Sequence, residues 1–364
     1  MRSLHIDTAR TWRGGQNQVL LTVNGLAEIG HDATLLAHEN GELRRRAGEG
    51  LRFLGFSPRS EFDIQAGWQL AGVIRERRPQ VIHAHDPMAV SLVAMARQMS
   101  SATDGRPLVV ASRRVDFHLK RHAFSKWKYS HVDVFITASR TIASILEQDG
   151  IEADRIEVVH DGVNVGYIDG QPTVDAHAAF RLPQGAPLIA NVAALAPHKG
   201  QKHLLAAMAL VVRQIPDARL LVMGEGELED ALRQQIGALG LDRHVLLTGF
   251  RTDVLGLLRS IDLFVMSSVT EGLGSSILEA MACERAVVGT LTGGIPEVVD
   301  DGVTGLLVPP RNEAALADAI VTLLRDATMR ARMGAAGRTR VMAEFSVDAL
   351  VRGVARVYAS RVPR

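Results

Sequence analysis

Glu271 and Glu279 stand eight positions apart, with Gly272, Gly274, Ser275 and Ser276 between them. Two carboxylates around so open a backbone allow two readings. As local structure, Ser276 and Glu279 fit a capping box ahead of the apolar Ile277, Leu278 and Met281, with Glu271 a plain loop charge. As chemistry, Glu271 follows the apolar run Leu263–Met266. It therefore leaves the C-terminal end of an expected strand, where open α/β sheets bind their ligands. A carboxylate there accepts hydrogen bonds from neighbouring hydroxyls of a polyol, and glycine amides beside it suit an anion at a helix start.

Other loops repeat the pattern of strand, glycine and helix. TARTWRGGQNQVL places Gly14 and Gly15 after the first apolar run, ahead of a helical pattern starting near Gln16. It is not a GxGxxG fingerprint, and an ordinary turn explains it equally well. NVAALAPHKGQKHLL carries Pro197, Lys199, Gly200 and Lys202. A lysine near a helix start suits a diphosphate, although most lysines are simply solvated. Gly224 and Glu225 follow the run Arg219–Met223, and TLTGGIPEVVDD brings Gly293, Gly294 and Pro296 after another run. Glu297 there is explained by helix-dipole compensation alone. Glycine-bearing loops with a lysine and two carboxylates point to a nucleotide diphosphate with a polyol attached.

In the first half, SRRVDFHLKRHAFSKWKYSH (residues 112–131) interleaves Arg113, Arg114, Lys120, Arg121, Lys126 and Lys128 with Phe117, Phe124, Trp127 and Tyr129. Basic and aromatic residues together suit an anionic membrane surface or a bound phosphate. They also fit a solvated helix face with its aromatics turned inward. His83 and His85 of HAHD alternate, so on a strand they share a face. With Asp86 they offer metal-ligand chemistry, but no third partner stands at a convincing spacing. A hydrogen-bonding or general-base role is the expectation.

These loops need a scaffold of short strands. Apolar runs at Leu4–Ile6, Thr34–Ala37, Val81–His83, Leu108–Ala111, Val134–Thr137 and Ile156–Val159 alternate with helical patterns. A second series follows at Leu188–Val192, Arg219–Met223, Val245–Thr248, Leu263–Met266, Ala286–Gly289 and Gly305–Val308. Alternation of this kind predicts βαβ units and parallel sheets. The glycine- and proline-rich stretch 162–187 divides the two series. A chain of 364 residues suits two domains. The expected boundaries are 1–165, 166–345 and a terminal helix over 346–364. A formal net charge of +1 tells against a dedicated nucleic-acid binder. The single Cys283 excludes an intrachain disulfide framework. With no signal-length or membrane-spanning apolar run, the expectation is a cytoplasmic protein, peripheral at most on a membrane's inner face.

Taken in order, Gly14-Gly15, Ala196-Pro197-His198-Lys199-Gly200, Glu271 to Glu279 with seven residues between, Gly293-Gly294-Ile295-Pro296-Glu297 and Gly302–Val308 resemble the retaining GT-B glycosyltransferases of family GT4. The resemblance covers the whole chain and is strongest over 186–310. It implies two Rossmann-like, doubly wound domains facing across a cleft, the second binding a UDP-, GDP- or ADP-sugar and the first the acceptor. Lys199 and Glu271 would be catalytic, with His118 and Asp116 as further candidates. Gly15, Arg251, Gly272, Leu273, Gly274, Glu279, Gly224 and Glu225 would join Lys199 in binding the donor. His85, Arg113 and Arg114 would meet the acceptor. The terminal helix would cross back to the first domain. No metal or cofactor would be needed. The acceptor would be a glycan, a lipopolysaccharide core or a lipid-linked molecule, placing the protein in cell-envelope glycan synthesis.

The chain departs from the family in three places. Ala194 stands where an arginine is usual, so Arg251, Lys202 or Arg113 would take over its charge. Glu284-Arg285-Ala286 replaces the usual Gly-x-Pro. The family histidine is not cleanly matched, since Arg113-Arg114 occupies that region and His118 is shifted. Alternative readings are a nucleotide-sugar epimerase of the same fold, a non-catalytic nucleotide-sugar or lipid-surface binding protein, and a dehydrogenase, which the missing GxGxxG disfavours.

Overall fold

The runs Val81–Ala84, Leu263–Met266 and Ala286–Thr290 are buried along their whole length. A strand buried on both faces needs helices above and below it, which is the parallel α/β arrangement. The computed structural model describes residues 1–48, 50–99 and 106–362. It contains two all-parallel sheets.

The first unit comprises Met1–Gly162 and the final helix. Its strands are β1 (Arg2–Asp7), β2 (Asp32–Ala37), β3 (Arg52–Gly55), β4 (Val81–Ala84), β5 (Leu108–Arg113), β6 (Val134–Thr137) and β7 (Ile156–Val158), in the order β3-β2-β1-β4-β5-β6-β7. The winding reverses between β1 and β4, which makes that pair the switch point where a ligand crevice opens. One sheet face packs Ile6, Leu70, Val93 and Phe135 into a core. The other packs Val19, Leu26, Val110, Val354 and Tyr358 under the helices Gly14–Glu28 and Val347–Arg361. Those two helices touch where Gly25 has no side chain, because a Cβ there would lie 2.3 Å from Val351 Cγ2.

The second unit, Val163–Ser346, holds β8 (Leu188–Val192), β9 (Arg219–Met223), β10 (Val245–Gly249), β11 (Leu263–Met266), β12 (Ala286–Thr290) and β13 (Gly305–Val308), ordered β10-β9-β8-β11-β12-β13. Here the winding reverses between β8 and β11. Ile189, Leu204, Met208, Leu220, Val265 and Ile320 belong to its core.

The sequence reading omitted β3, an edge strand paired only with β2 and exposed at Arg52. Edge strands carry a weaker apolar signal because one side faces solvent. The stretch 162–187 is not merely loop. Asn164 and Asp175 cap two short helices there, Val165–Asp169 and Ala176–Ala179, by accepting N–H groups of the first turn.

Candidate active site

At the second unit's switch point, the loop after β8 meets the loop after β11. Lys199 Nζ donates to Glu271 Oε2 at 2.7 Å, and Ser268 Oγ donates to the same oxygen at 2.9 Å. Glu271 is 8% exposed. Its Oε1 has no partner among the described residues, so one oxygen of a buried, oriented carboxylate stays open to a hydroxyl. The loops are locked at the backbone: Val269 N–H donates to His198 O at 2.7 Å, and Ser267 Oγ donates to Lys199 O at 3.2 Å. Gly200 has φ +67, and a Cβ there would lie 2.1 Å from Ser267 O, so only glycine fits.

Gly272, Leu273 and Gly274 are buried, and none of their amide N–H groups donates to a described residue. Orphaned buried N–H groups are rare in native proteins. A run of three ahead of the helix Ser275–Ala282 is an arrangement that suits an anion at a helix start. The capping box, one of the two readings of this stretch, is absent. Gly274 caps this helix at φ +93, and Ser276 Oγ donates to Val192 O at 2.9 Å instead.

Glu279 lies on that helix. The residue is not fully enclosed, yet burial pushes its carboxyl up to about 7. It has no hydrogen-bond or ion-pair partner among the described residues, so nothing local offsets the desolvation. Gly224 and Glu225 sit where β9 and β10 end. Gly224 N–H donates to Gly249 O at 3.0 Å, and Leu195 N–H donates to Glu225 O at 2.9 Å. Glu225 therefore braces the loop leading to Lys199 with its backbone, and Gly224 joins the ends of β9 and β10. Of the cations considered for the Ala194 position, Arg251 is held by Asp253 at 2.8 and 2.5 Å. Lys202 lines a cavity of about 480 Å³ with Pro197, His198 and Arg311.

The first unit's switch point is built differently. His5 on β1 and His83 on β4 are in register, with His85 just beyond. The His83 and His85 rings stack at 4.1 Å. His5 is the third histidine that the sequence reading lacked; β1 and β4 are distant in sequence but adjacent in the sheet. The three offer ring nitrogens within 4.8 Å of one another. Every ring nitrogen already has a partner. Arg114 Nη1 lies 3.5 Å from His85 Nδ1, His85 Nε2 is 3.1 Å from His5 Nδ1, and His5 Nε2 is 3.1 Å from Ser3 Oγ. With arginine always a donor, the network assigns donation from Arg114 to His85 to His5 to Ser3. His83 is held by the Tyr358 hydroxyl at 2.6 Å and Ser112 Oγ at 2.8 Å. Burial pushes His5 down to about 3, and burial with neighbouring positive charge holds His83 and His85 well below the usual range. All three are neutral at neutral pH.

Tyr358 therefore ties the final helix to the sheet. Tyr358→Phe should lower the unfolding free energy of this unit by about 1–2 kcal/mol, since a buried imidazole nitrogen loses its partner. Urea unfolding followed by tryptophan fluorescence reads this; a midpoint unchanged from wild type would contradict it.

Arg114 Nε also donates to Asp161 Oδ1 at 2.8 Å in a largely buried ion pair. Asp161 was not singled out from sequence, and nothing near it in the chain marked it, for its partner is 47 positions away. Burial and then Asp86's charge raise Asp7, at the end of β1, to about 6. Asp86 accepts Thr8 N–H at 2.6 Å and Met88 N–H at 2.8 Å, so it holds the two loops together. Arg113 is half-buried and donates to Phe117 O. Asp116 has no hydrogen bond among the described residues. His118 is bound to Asp149 at 2.9 Å, and none of its hydrogen bonds reaches the histidine cluster. At Gly15 a Cβ would meet nothing within 4 Å, so packing in its own unit does not demand glycine.

The basic-aromatic segment is divided by the fold. Lys128 is buried and donates to Glu61 Oε2 and Pro87 O, each at 3.1 Å, which removes it from the expected surface. Tyr129 is buried, and Phe124 packs on Phe62 at 4.5 Å. Phe117, Lys120, Arg121 and Lys126 stay exposed.

A sequence profile described as Glycosyl transferases group 1 matches residues 174–340, and one described as Glycosyltransferase Family 4 matches residues 12–167. A Bacillus subtilis protein named "Putative glycosyltransferase EpsD" is 30% identical over 329 residues, 83% of each chain. A GDP-mannose-dependent monoacylated alpha-(1-6)-phosphatidylinositol monomannoside mannosyltransferase of Corynebacterium glutamicum is 39% identical over 169 residues, 44% of each chain. Among solved structures, Anabaena HepE in complex with UDP-glucose superposes with a TM-score of 0.85 at 21% identity, covering 99% of this chain and 100% of that one. Sucrose-phosphate synthase from Thermosynechococcus elongatus gives 0.80 at 21% identity, covering 99% and 98%. At such identities the structural likeness bears on the fold, which is GT-B.

Proposed function

The chain is a glycosyltransferase of family GT4, and from that premise we propose that it is a retaining, metal-independent enzyme. It moves a sugar from a nucleotide-diphosphate sugar, bound by the second unit, to a hydroxyl of a glycan, lipopolysaccharide-core or lipid-linked acceptor bound by the first. The observation that carries this reading is the Lys199–Glu271 pair beside the unpartnered amides of Gly272–Gly274. The amides and Lys199 supply positive potential for the leaving diphosphate, the task a metal ion performs in other enzymes. Glu271 Oε1 orients the donor sugar. The bond from the anomeric carbon to the phosphate oxygen breaks, and the acceptor oxygen attacks from the same face. Its proton passes to the departing phosphate oxygen, so configuration is kept without an enzyme nucleophile.

Incubation with UDP-, GDP- and ADP-sugars and candidate acceptors, with and without EDTA, tests this. Two series come first: HepE was solved with UDP-glucose, and the mannosyltransferase relative is GDP-mannose-dependent. The expected result is acceptor-dependent release of nucleotide diphosphate that EDTA does not reduce, with a product whose anomeric configuration matches the donor's. Inverted product or dependence on added metal would overturn the mechanism.

Glu279 is read as the ribose ligand. Two ribose hydroxyls donating to it would favour the ionised form. Because its carboxyl sits at about 7 before binding, binding below that pH must release a proton. Affinity for a nucleotide sugar, whose own phosphates do not titrate there, should rise with pH, approaching tenfold per unit below about 7. Calorimetry between about pH 6 and 8 checks this. Glu279→Gln should bind more weakly and flatten the profile; a wild-type affinity independent of pH would contradict the assignment.

A further inference from the structure

Beyond the donor loops and the histidine network, the first unit carries a cluster of arginines with no role so far. β1 and β2 are paired neighbours, so the loops leaving their C-terminal ends lie side by side. Glu42 N–H donates to Arg10 O at 3.1 Å, joining them. Residues 8–13 and 38–46 carry Arg10, Arg13, Arg44, Arg45 and Arg46 against Glu39 and Glu42, a local excess of +3 in a chain of formal net charge +1.

The fold holds Arg44, Arg45 and Arg46 in place, and Glu42 offsets only part of their charge. Arg46 lies over the Trp12 ring at 4.3 Å and Arg44 over the Phe53 ring at 4.7 Å. Stacking on an aromatic face leaves the in-plane N–H groups available to an anion. Glu42 pairs with Arg45 at 2.8 Å and with Arg46 at 3.5 Å. Arg10 and Arg44 have no anionic partner among the described residues. Arg44 and Arg45 line a cavity of about 550 Å³ with Ala47, Gly48 and Leu51. The loop after β2 also leaves a buried donor unpaired. His38, which follows β2, is 7% exposed. Its Nδ1 accepts Asn40 N–H at 3.2 Å, which leaves Nε2 as the protonated nitrogen, and that donor has no partner.

We propose that this arginine arc binds phosphate groups of the acceptor, so that the acceptor is a phosphate ester, either a soluble phosphorylated sugar or a lipid with a phosphate headgroup. The planar forks of Arg44 and Arg45 on one cavity, with Arg10 on the adjoining loop, match a multi-oxygen anion better than a neutral glycan. The inference rests on the reading that the first unit holds the acceptor.

The test uses the full chain with its donor site saturated by the nucleotide it binds. Two probes are titrated: glucose 6-phosphate, with glucose as control, and vesicles of phosphatidylcholine with phosphatidylglycerol, with pure phosphatidylcholine as control. Wild type is compared with the triple variant Arg10→Gln, Arg44→Gln, Arg45→Gln, whose residues are exposed. Arg13 is left unchanged because it stands at the cap of the helix Gly14–Glu28. At least one phosphate probe should bind wild type and bind the variant about tenfold more weakly or worse. The corresponding triple lysine variant should fall between them, since it keeps charge but loses the fork. Binding of vesicles alone identifies a lipid headgroup; binding of glucose 6-phosphate alone identifies a soluble ester. The proposal is overturned if wild type binds neither probe, or if the glutamine variant binds as wild type does. Nucleotide affinity, set by the second unit, should be equal in all three proteins. Its absence from wild type would count against the donor reading, while the two phosphate arms would still decide on the arc.

Discussion

Glu271→Ala will lower turnover by about 10²–10³-fold, the range for losing one oriented polar group at a reacting centre. Nucleotide affinity should change by much less, because the amides of Gly272–Gly274 and Lys199 remain. Stability should fall only modestly. The Lys199 side chain keeps 18% of its surface, so the freed ammonium can reach water rather than stay buried and unpaired. Glu271→Gln separates charge from shape: it can still accept from Ser268 but no longer pairs ionically with Lys199. Single-turnover rates beside calorimetric affinities decide the matter. Near-normal turnover in Glu271→Ala would remove this residue from the mechanism.

Gly293→Ala should have the largest effect on the site's architecture. Gly293 has φ +55, and a Cβ there would lie 1.8 Å from Glu271 O and 3.0 Å from Glu271 N. Its neighbour Gly294 donates its N–H to Glu271 O at 3.0 Å. The loop after β12 is therefore pressed backbone to backbone against the residue that orients the sugar. An added methyl group cannot be absorbed by a rotamer change, because the obstacle is main chain. We expect a loss of about 3 kcal/mol or more, combining left-handed strain with overpacking. Activity should fall as in Glu271→Ala. Gly240→Ala is the control, since Gly240 has φ +67 but nothing within 4 Å. It should cost only the backbone strain, about 1–2 kcal/mol. Equal stabilities for the two variants in urea titrations would show that the contact with Glu271 is unimportant.

Much of this was legible in the sequence. Strands such as Leu188–Val192, Arg219–Met223 and Leu263–Met266 are short apolar runs in both sequence and structure, because a parallel sheet buried on both faces leaves no polar positions to blur them. β3 escaped notice for the opposite reason: an exposed edge tolerates Arg52. The pairing of Glu271 with Lys199 follows from strand order, since β8 and β11 are neighbours across the switch point although their loops are 72 positions apart. Sequence named both residues without showing that they touch. Of the two readings that the sequence allowed for Ser276 and Glu279, it could not exclude the cap, because spacing alone does not reveal that Ser276 is drawn to Val192 O. It could not see His5 join His83 and His85, nor Asp161 meet Arg114. Long-range register, not local pattern, makes those contacts. Lys128 is the converse: a lysine among basic residues reads as surface, and only packing shows it buried against Glu61.

A nucleotide sugar is expected to bind at the Lys199–Glu271 switch point of the second unit. Isothermal titration of UDP-, GDP- and ADP-sugars into wild type and Lys199→Ala, all in EDTA, decides this. One nucleotide series should bind wild type without metal, and Lys199→Ala should weaken it by about tenfold or more. Equal affinity in the variant, or no binding by any series, would contradict it.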